Sequence, residues 1–268
     1  MTNLPKSNTV NPVGREPIDA DALLDALGER WARIAVVAET GSTNADLLAD
    51  AAAPDRSALI AEVQTAGRGR LDRSWVSPPG AGLTLSALFR PSVPVARWGW
   101  LPLLAGVALT DAVGAGALKW PNDLLLGPGE RKAAGILAQS GGDAVVIGIG
   151  INVDTAAHEF DGLPEATSLA IEGIEVTRTD LAIALLTRLD SLMARWQDVA
   201  GDAQACGLAA AYRAACSTIG RAVTLTAGDG TSQEGTVRDV DPDGHLLLDV
   251  DGVTRTIAAG DVQHLRSI

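Results

Sequence analysis

The chain has 268 residues, with 21 Lys and Arg against 33 Asp and Glu and a net charge of -12. That length suits one main domain of about 200 residues with a smaller companion. The acidic balance, without a basic tract, disfavours general binding to nucleic acid or anionic membranes. No apolar run is long enough for a membrane helix, the charge-interrupted start is unlike a secretory signal, and Cys206 and Cys216 suggest neither a disulfide framework nor a zinc site, so a cytoplasmic, soluble protein is expected.

Residues 1–17, with Asn3, Pro5, Asn11 and Pro12, read as a flexible lead. Asp19 to Ala32 carries Leu23, Leu24, Leu27 and Trp31 at helical spacing, with Asp19 or Asp21 able to cap it. A short strand at Ile34–Val37 precedes a helix at Asn44–Ala53, entered by the capping-box pattern Thr43-x-x-Asp46. Strands follow at Ala58–Gln64 and Leu83–Phe89, then an apolar helix at Trp100–Val113 that tolerates Pro102 in its first turn. Leu118–Leu126 is interrupted by Pro121, and Ala133–Gln139 and Ala144–Ile151 read as an antiparallel pair turned at Gly141-Gly142. Arg178–Trp196 has the stripe Leu181, Leu185, Leu189, Leu192 and Trp196 behind a Thr177-x-x-Asp180 cap, and a short helix at Leu208–Ala215 follows.

Beyond Ser217 the pattern becomes alternation with tight turns. Strand-length runs at 222–226, 234–240, 245–250 and 253–257 are separated by Gly228-Asp229-Gly230, Asp243-Gly244 and Asp251-Gly252. The expected organisation is the lead, an α+β domain at 18–217 with a mixed, mostly antiparallel sheet, and a small antiparallel barrel at 218–268.

Five segments stand apart from core-forming sequence. Gly67-Arg68-Gly69-Arg70-Leu71-Asp72-Arg73-Ser74-Trp75 puts three permanent cations on a glycine-freed backbone. It suits an anion, although a solvated hairpin loop explains it equally, and it lacks the Gly-Lys-[Ser/Thr] of a Walker loop. In Lys119-Trp120-Pro121-Asn122-Asp123 the proline marks an edge or bulge that would expose Asn122 and Asp123 to a polar substrate or magnesium; an Asx turn is the alternative. Arg131-Lys132-x-x-Gly135 places two cations before a strand. Ser42-Thr43-Asn44 lies at a helix N-terminus, where capping or a polar ligand accounts for it. Gly148-x-Gly150-x-Asn152 ends a strand with room for close backbone packing or a ligand. Only three lysines occur, Lys6, Lys119 and Lys132, and two of them fall in these segments.

Taken in order, Gly41-Ser-Thr-Asn, Gln64-Thr-Ala-Gly-Arg-Gly-Arg with Trp75, Lys119-Trp-Pro-Asn-Asp, Arg131-Lys132-x-x-Gly135 and Gly148-x-Gly150-x-Asn152 resemble the biotin protein ligases, from about Ile34 to Asn152. The resemblance implies a class II synthetase-like catalytic domain with helices on one side of its sheet. It also implies a two-step reaction: biotin and MgATP give biotinyl-5'-AMP and pyrophosphate, and biotin then passes to a lysine of a biotin carboxyl carrier domain, such as that of acetyl-CoA carboxylase. By motif, Arg70, Lys119, Lys132 and Asp123 would be catalytic. Ser42, Thr43, Asn44, Gln64, Arg68, Gly69, Arg70, Lys132 and Gly135 would bind biotin. Arg68, Arg70, Arg73, Trp75, Asn122, Lys132 and Asn152 would bind ATP or the adenylate, with Asp123 a candidate for magnesium.

The Leu71-Asp72 pair departs from relatives that continue with a further Arg-Gly, which bears on how this loop closes. Only some 33 residues precede the first catalytic strand, which leaves room for one helix and for no DNA-reading domain, so neither DNA nor membrane is an expected partner. A monomer or weak dimer is expected. A lipoate-type ligase and a non-catalytic biotin-responsive regulator are the alternatives.

Overall fold

The computed structural model describes residues 15–71, 73–160, 162–227 and 230–265. Most of the expected lead, Asp72, and the Gly228-Asp229 part of one expected turn lie outside the described residues. Arg15 to Pro17 do not behave as a free lead: the Arg15 guanidinium pairs with Glu159 at 2.5 Å and donates to the Asp154 carbonyl.

A seven-stranded sheet comprises β1 (Arg33–Thr40), β2 (Ser57–Gln64), β3 (Gly82–Phe89), β4 (Ala117–Lys119), β5 (Asp123–Leu126), β6 (Arg131–Gly141) and β7 (Ala144–Asn152). Its order is β1-β2-β3-β7-β6-β5-β4, and only β1–β2 is parallel. The expected β6–β7 hairpin forms, turned at Gly142, whose φ of 61° suits a residue without Cβ.

Alternation along the central strands separates two faces. Leu83, Leu85, Ala87 and Phe89 of β3 and Val145, Ile147, Ile149 and Ile151 of β7 meet α1 (Ala20–Leu27), α3 (Leu101–Val113), α4 (Arg178–Asp198) and α5 (Leu208–Ala215) in the main core. α2 (Thr43–Ala49) lies on the opposite face, where Leu47 joins Leu59, Leu88 and Val146 in a second, smaller cluster. The helices are therefore on one side with this single exception, and the exception carries part of the site.

The cap of α2 differs from the expected one. Ser42 is the N-cap residue, its hydroxyl accepting from the Ala45 N–H, and Thr43 is already helical. This frees the Thr43 side chain to turn inward, while Asp46 accepts from the Thr40 hydroxyl. α4 follows expectation: Thr177 Oγ1 accepts from Asp180 N at 3.0 Å and the whole leucine stripe is buried. Its first residue, Arg178, is 4% exposed and donates to Glu62 at 2.6 Å and to the Glu16 carbonyl at 2.5 Å. Arg178→Ala is expected to destabilise the fold by about 3 kcal/mol, because it strands the half-buried Glu62 carboxylate; a urea midpoint shift measures this.

The C-terminal strands β8 (Ala222–Thr226), β9 (Ser232–Val240), β10 (Leu246–Val250), β11 (Val253–Ile257) and β12 (Asp261–His264) form an antiparallel sheet in the order β11-β10-β9-β8-β12. Asp251 and Gly252 both have positive φ, as a two-residue hairpin turn requires. Strand β12 has no counterpart among the expected strands. Val223, Leu225, Val237, Leu246 and Val262 join the main core directly.

Two seams fix this sheet to the first. At one, Trp100 Nε1 and Arg97 Nη1 each donate to the Pro242 carbonyl at 2.9 Å, and a Cβ on Gly99 would lie 2.3 Å from the Asp243 carbonyl oxygen. At the other, Trp120 N donates to Thr218 Oγ1 at 3.0 Å, which contacts His264 Nε2 at 2.9 Å, and Arg221 forms a bidentate pair with Glu130. Burial, with Arg221 and Lys119 nearby, pulls the His264 imidazole below its usual pKa.

Candidate active site

The face of the sheet carrying α2 has little side-chain bulk at its centre. Gly135 of β6 stands opposite Gly150 of β7, and Gly148 and Gly150 stand opposite Ser86 and Thr84 of β3. This floor lies beneath a cavity of about 120 Å³. Along one wall runs a continuous polar chain. Gln64 Oε1 accepts from Thr43 N at 2.8 Å and from Thr43 Oγ1 at 2.9 Å; Thr43 Oγ1 meets Ser86 Oγ at 2.7 Å; and Ser86 Oγ donates to Asn44 Oδ1 at 2.6 Å. The Asn44 amide nitrogen is then held by the Leu137 carbonyl and Gln139 Oε1. Donors and acceptors at fixed positions in a buried wall suit a small ligand that offers both.

Asn44 packs so closely on Gly148 that a Cβ there would lie 2.2 Å from Asn44 Oδ1. Gly148→Ala is therefore expected to cost about 1 kcal/mol or more of stability, since Asn44 cannot move without breaking three hydrogen bonds. The shift of the urea unfolding midpoint measures this.

The opposite wall is cationic. The described residues after β2 pair as a hairpin: Gly69 N donates to the Arg73 carbonyl, Trp75 N to the Gly67 carbonyl, and Arg68 bridges Ser74. Arg68 and Arg73 are exposed at the rim of the cavity, whereas Arg70 is half-buried and donates to Asn122 Oδ1 at 3.4 Å. Burial lowers the Arg70 pKa, which still leaves a guanidinium charged. Asn122 is held by the Ile136 carbonyl, and Asp123 pairs in the ladder opposite Lys119 and Gly135. Both are half-buried rather than exposed as expected, because Pro121 sits in the β4–β5 turn and the ladder resumes at Asp123.

Lys132 Nζ lies 2.6 Å from Asp123 Oδ1 and 5.9 Å from the centre of a Trp75 ring. Its backbone is fixed on both sides, N donating to the Glu165 carbonyl and O accepting from Thr167 N. The Trp75 indole lies over Gly135 and Gly150, where a Cβ on Gly150 would approach it to 2.4 Å, and its buried Nε1 has no acceptor among the described residues.

Of the residues expected from sequence, Ser42, Thr43, Asn44, Gln64, Arg68, Gly69, Arg70, Arg73, Trp75, Asn122, Asp123, Lys132 and Gly135 all line this cavity. Lys119 does not; it lines an adjoining open cleft of about 900 Å³ between the two sheets, which shares Arg73, Asp123 and Lys132 with the cavity. Asn152 lines neither, being buried with its amide donated to the Thr167 carbonyl at 3.0 Å. Sequence reasoning missed Thr84 and Ser86, although polar residues two apart in an otherwise apolar strand were a legible signal. It also missed Gln139, which does not line the cavity but holds the Asn44 amide, and Asp261, which β12 brings to the cavity from the other sheet.

Residues 34–154 match the Biotin/lipoate A/B protein ligase family model and 218–265 the Biotin protein ligase C terminal domain model. The biotin--[acetyl-CoA-carboxylase] ligase of Mycobacterium tuberculosis is 44% identical, with 94% of this chain and 97% of that protein covered. The chain belongs to the biotin protein ligase family. The bifunctional ligase/repressor BirA of Bacillus subtilis is 32% identical over 89% of this chain and 75% of its own length. Among solved structures, a biotin protein ligase from Aquifex aeolicus in complex with biotin and ATP superposes with a TM-score of 0.72 at 25% identity, covering 88% of this chain and all of that one. The biotin protein ligase from Leishmania major in complex with biotinyl-5-AMP gives 0.57 at 25%, covering 88% and 99%.

Within the biotin protein ligase fold, the polar wall and the cationic wall face each other across a floor of glycines. No described helix is long and apolar enough to cross a membrane.

Proposed function

We propose that this protein is an ATP-dependent biotin protein ligase that activates biotin as biotinyl-5'-AMP, releasing pyrophosphate, and then transfers biotin to a lysine of a biotin carboxyl carrier domain such as that of acetyl-CoA carboxylase. A catalytic unit at 18–217 with a smaller unit at 218–268 is part of this reading. The observation that carries it is the Lys132 ammonium, pinned by Asp123 over a glycine floor and facing a wall of fixed donors and acceptors.

Adenylation joins two anions: a carboxylate oxygen bonds to the α-phosphorus as the bond to pyrophosphate breaks. Cations whose hold tightens as charge gathers on the oxygens lower that barrier. Lys132 and Arg70 supply them from opposite elements, while Ser42, Thr43, Asn44 and Gln64 read the ureido ring. Lys132, a compact ammonium with rotatable donors, can follow an oxygen from reactant to adenylate. The Trp75 indole supports one face of the ligand, and Arg68 and Arg73 draw phosphates to the mouth. Lys119 acts from the cleft rather than the cavity. Asn152 supports the nucleotide side indirectly, by holding the 165–167 segment that also grips the Lys132 backbone.

Among the described residues no group of three or more carboxylate, His or Cys side chains could hold a metal, so a closed protein cage for magnesium does not fit. Asp123 does fit an ion bound mainly by phosphates and water, which would neutralise phosphate charge. Its own part is to orient Lys132 and to border the cleft that admits the acceptor lysine.

The test is to incubate the protein with MgATP, an acceptor domain, and either biotin or lipoate. Biotin on the acceptor lysine is the expected result. Label from lipoate alone would establish the lipoate-type alternative, and biotin binding without transfer would establish a regulator.

A further inference from the structure

At the rim of the cavity one ion pair ties the arginine hairpin to the C-terminal sheet. Arg73 Nη2 lies 2.5 Å from Asp261 Oδ2, the first residue of β12. Asp261 borders both the cavity and the cleft and is held by strand register opposite Thr226, so its carboxylate has a fixed position. Arg73 is not fixed in the same way: its side chain is 63% exposed against 27% for Asp261. Exposed ion pairs of this kind are weak and readily exchanged. A guanidinium meets a phosphate through strong, often bidentate, charge-assisted bonds, so a triphosphate arriving at the mouth outcompetes a single carboxylate for Arg73. Asp261 also draws on Arg70, since its charge partly offsets the loss of proton affinity that burial causes there.

We propose that Asp261 is a positioning residue that sets nucleotide affinity: it occupies Arg73 in the ligand-free protein and yields it to an ATP phosphate. The inference rests on the reading of this cavity as the biotin and ATP site. ATP must then both displace the carboxylate and tolerate its charge, so the ligand-free site is held below its greatest possible affinity for triphosphate. Loss of pyrophosphate frees Arg73 to return to Asp261, which restores the cation's anchor before the acceptor lysine arrives.

The test uses four full-length proteins: wild type, Asp261→Asn, Arg73→Ala and the double variant. Each is titrated with an α,β-methylene ATP analogue at saturating biotin, which measures affinity without chemistry. Asp261→Asn is expected to bind the analogue about two- to fivefold more tightly with biotin affinity unchanged, the scale of an exposed ion pair. Arg73→Ala is expected to bind it more weakly, and in that background Asp261→Asn should gain clearly less than it does beside an intact Arg73, only the relief of charge remaining. Unchanged or weaker binding by Asp261→Asn overturns the inference. So does an equal gain in the Arg73→Ala background, which would reveal simple repulsion without exchange. Biotinyl adenylate formation by wild type, followed as pyrophosphate release, tests the site reading separately: normal turnover with a failed titration removes the Asp261 role alone. A loss of stability or of biotin affinity in Asp261→Asn would mark a purely structural contact and also overturns the proposal.

Discussion

Lys132→Ala is expected to slow biotinyl adenylate formation by about 10²- to 10³-fold, the scale for removing one preorganised charge-stabilising donor. The Lys132 ammonium contacts Asp123, whereas the Arg70 guanidinium is engaged with Asn122. Folding should lose about 1 to 3 kcal/mol, because the substitution leaves the largely buried Asp123 carboxylate without its cation. The Lys132 backbone bonds to Glu165 and Thr167 survive the substitution, and its side chain is 36% exposed. Pyrophosphate release under saturating biotin and ATP measures the rate, and thermal unfolding guards against a folding artefact. An undiminished rate with an intact fold would remove Lys132 from the chemistry.

Arg70→Gly is expected to speed escape of the adenylate by about 10- to 100-fold, the worth of one hydrogen bond to a charged group. Arg70 is the half-buried guanidinium of its hairpin, so under the proposed reading it holds the intermediate while the exposed Arg68 and Arg73 stay at the rim. A mixed anhydride released into solution reacts with any accessible amine, so biotin should appear on lysines of bystander proteins. Mass spectrometry of an added mixture of unrelated proteins reads this directly. Labelling confined to the acceptor lysine would refute the retention role.

The polar residues of the site were legible where local sequence determines placement. Gly-Ser-Thr-Asn lies at a helix start, the arginine hairpin is punctuated by glycines, and Lys132 opens a strand, so each motif sits where its own turn or cap puts it. What sequence could not supply was long-range placement. Asn152 looked free at a strand end, yet a segment fifteen residues later closes on its amide. Lys119 shares a motif with Asp123 but pairs across a hairpin, and from there it lines the neighbouring cleft. Asp261 was invisible because β12 is four residues long and owes its position wholly to its pairing with β8. The cap of α2 misled for a simpler reason: of two successive hydroxyl residues only Thr43 has an acidic residue three positions on, yet its side chain is taken by Gln64 and Ser86 and the cap falls to Ser42.

The two seams carry a consequence for how the molecule can be cut or recombined. Trp120, whose N–H is held by Thr218, precedes Asn122 and Asp123 by only a few bonds, and strands of the C-terminal sheet share one apolar core with the helices. The chain should therefore melt in a single transition. Truncation after Ser217 would leave a donor without its acceptor beside the Pro121–Asn122 turn and bare the side of the core that Val223, Leu225 and Val262 cover. Grafting the corresponding sheet from a relative should alter turnover unless the residues at both seams travel with it, which makes the seam the natural boundary for chimeras.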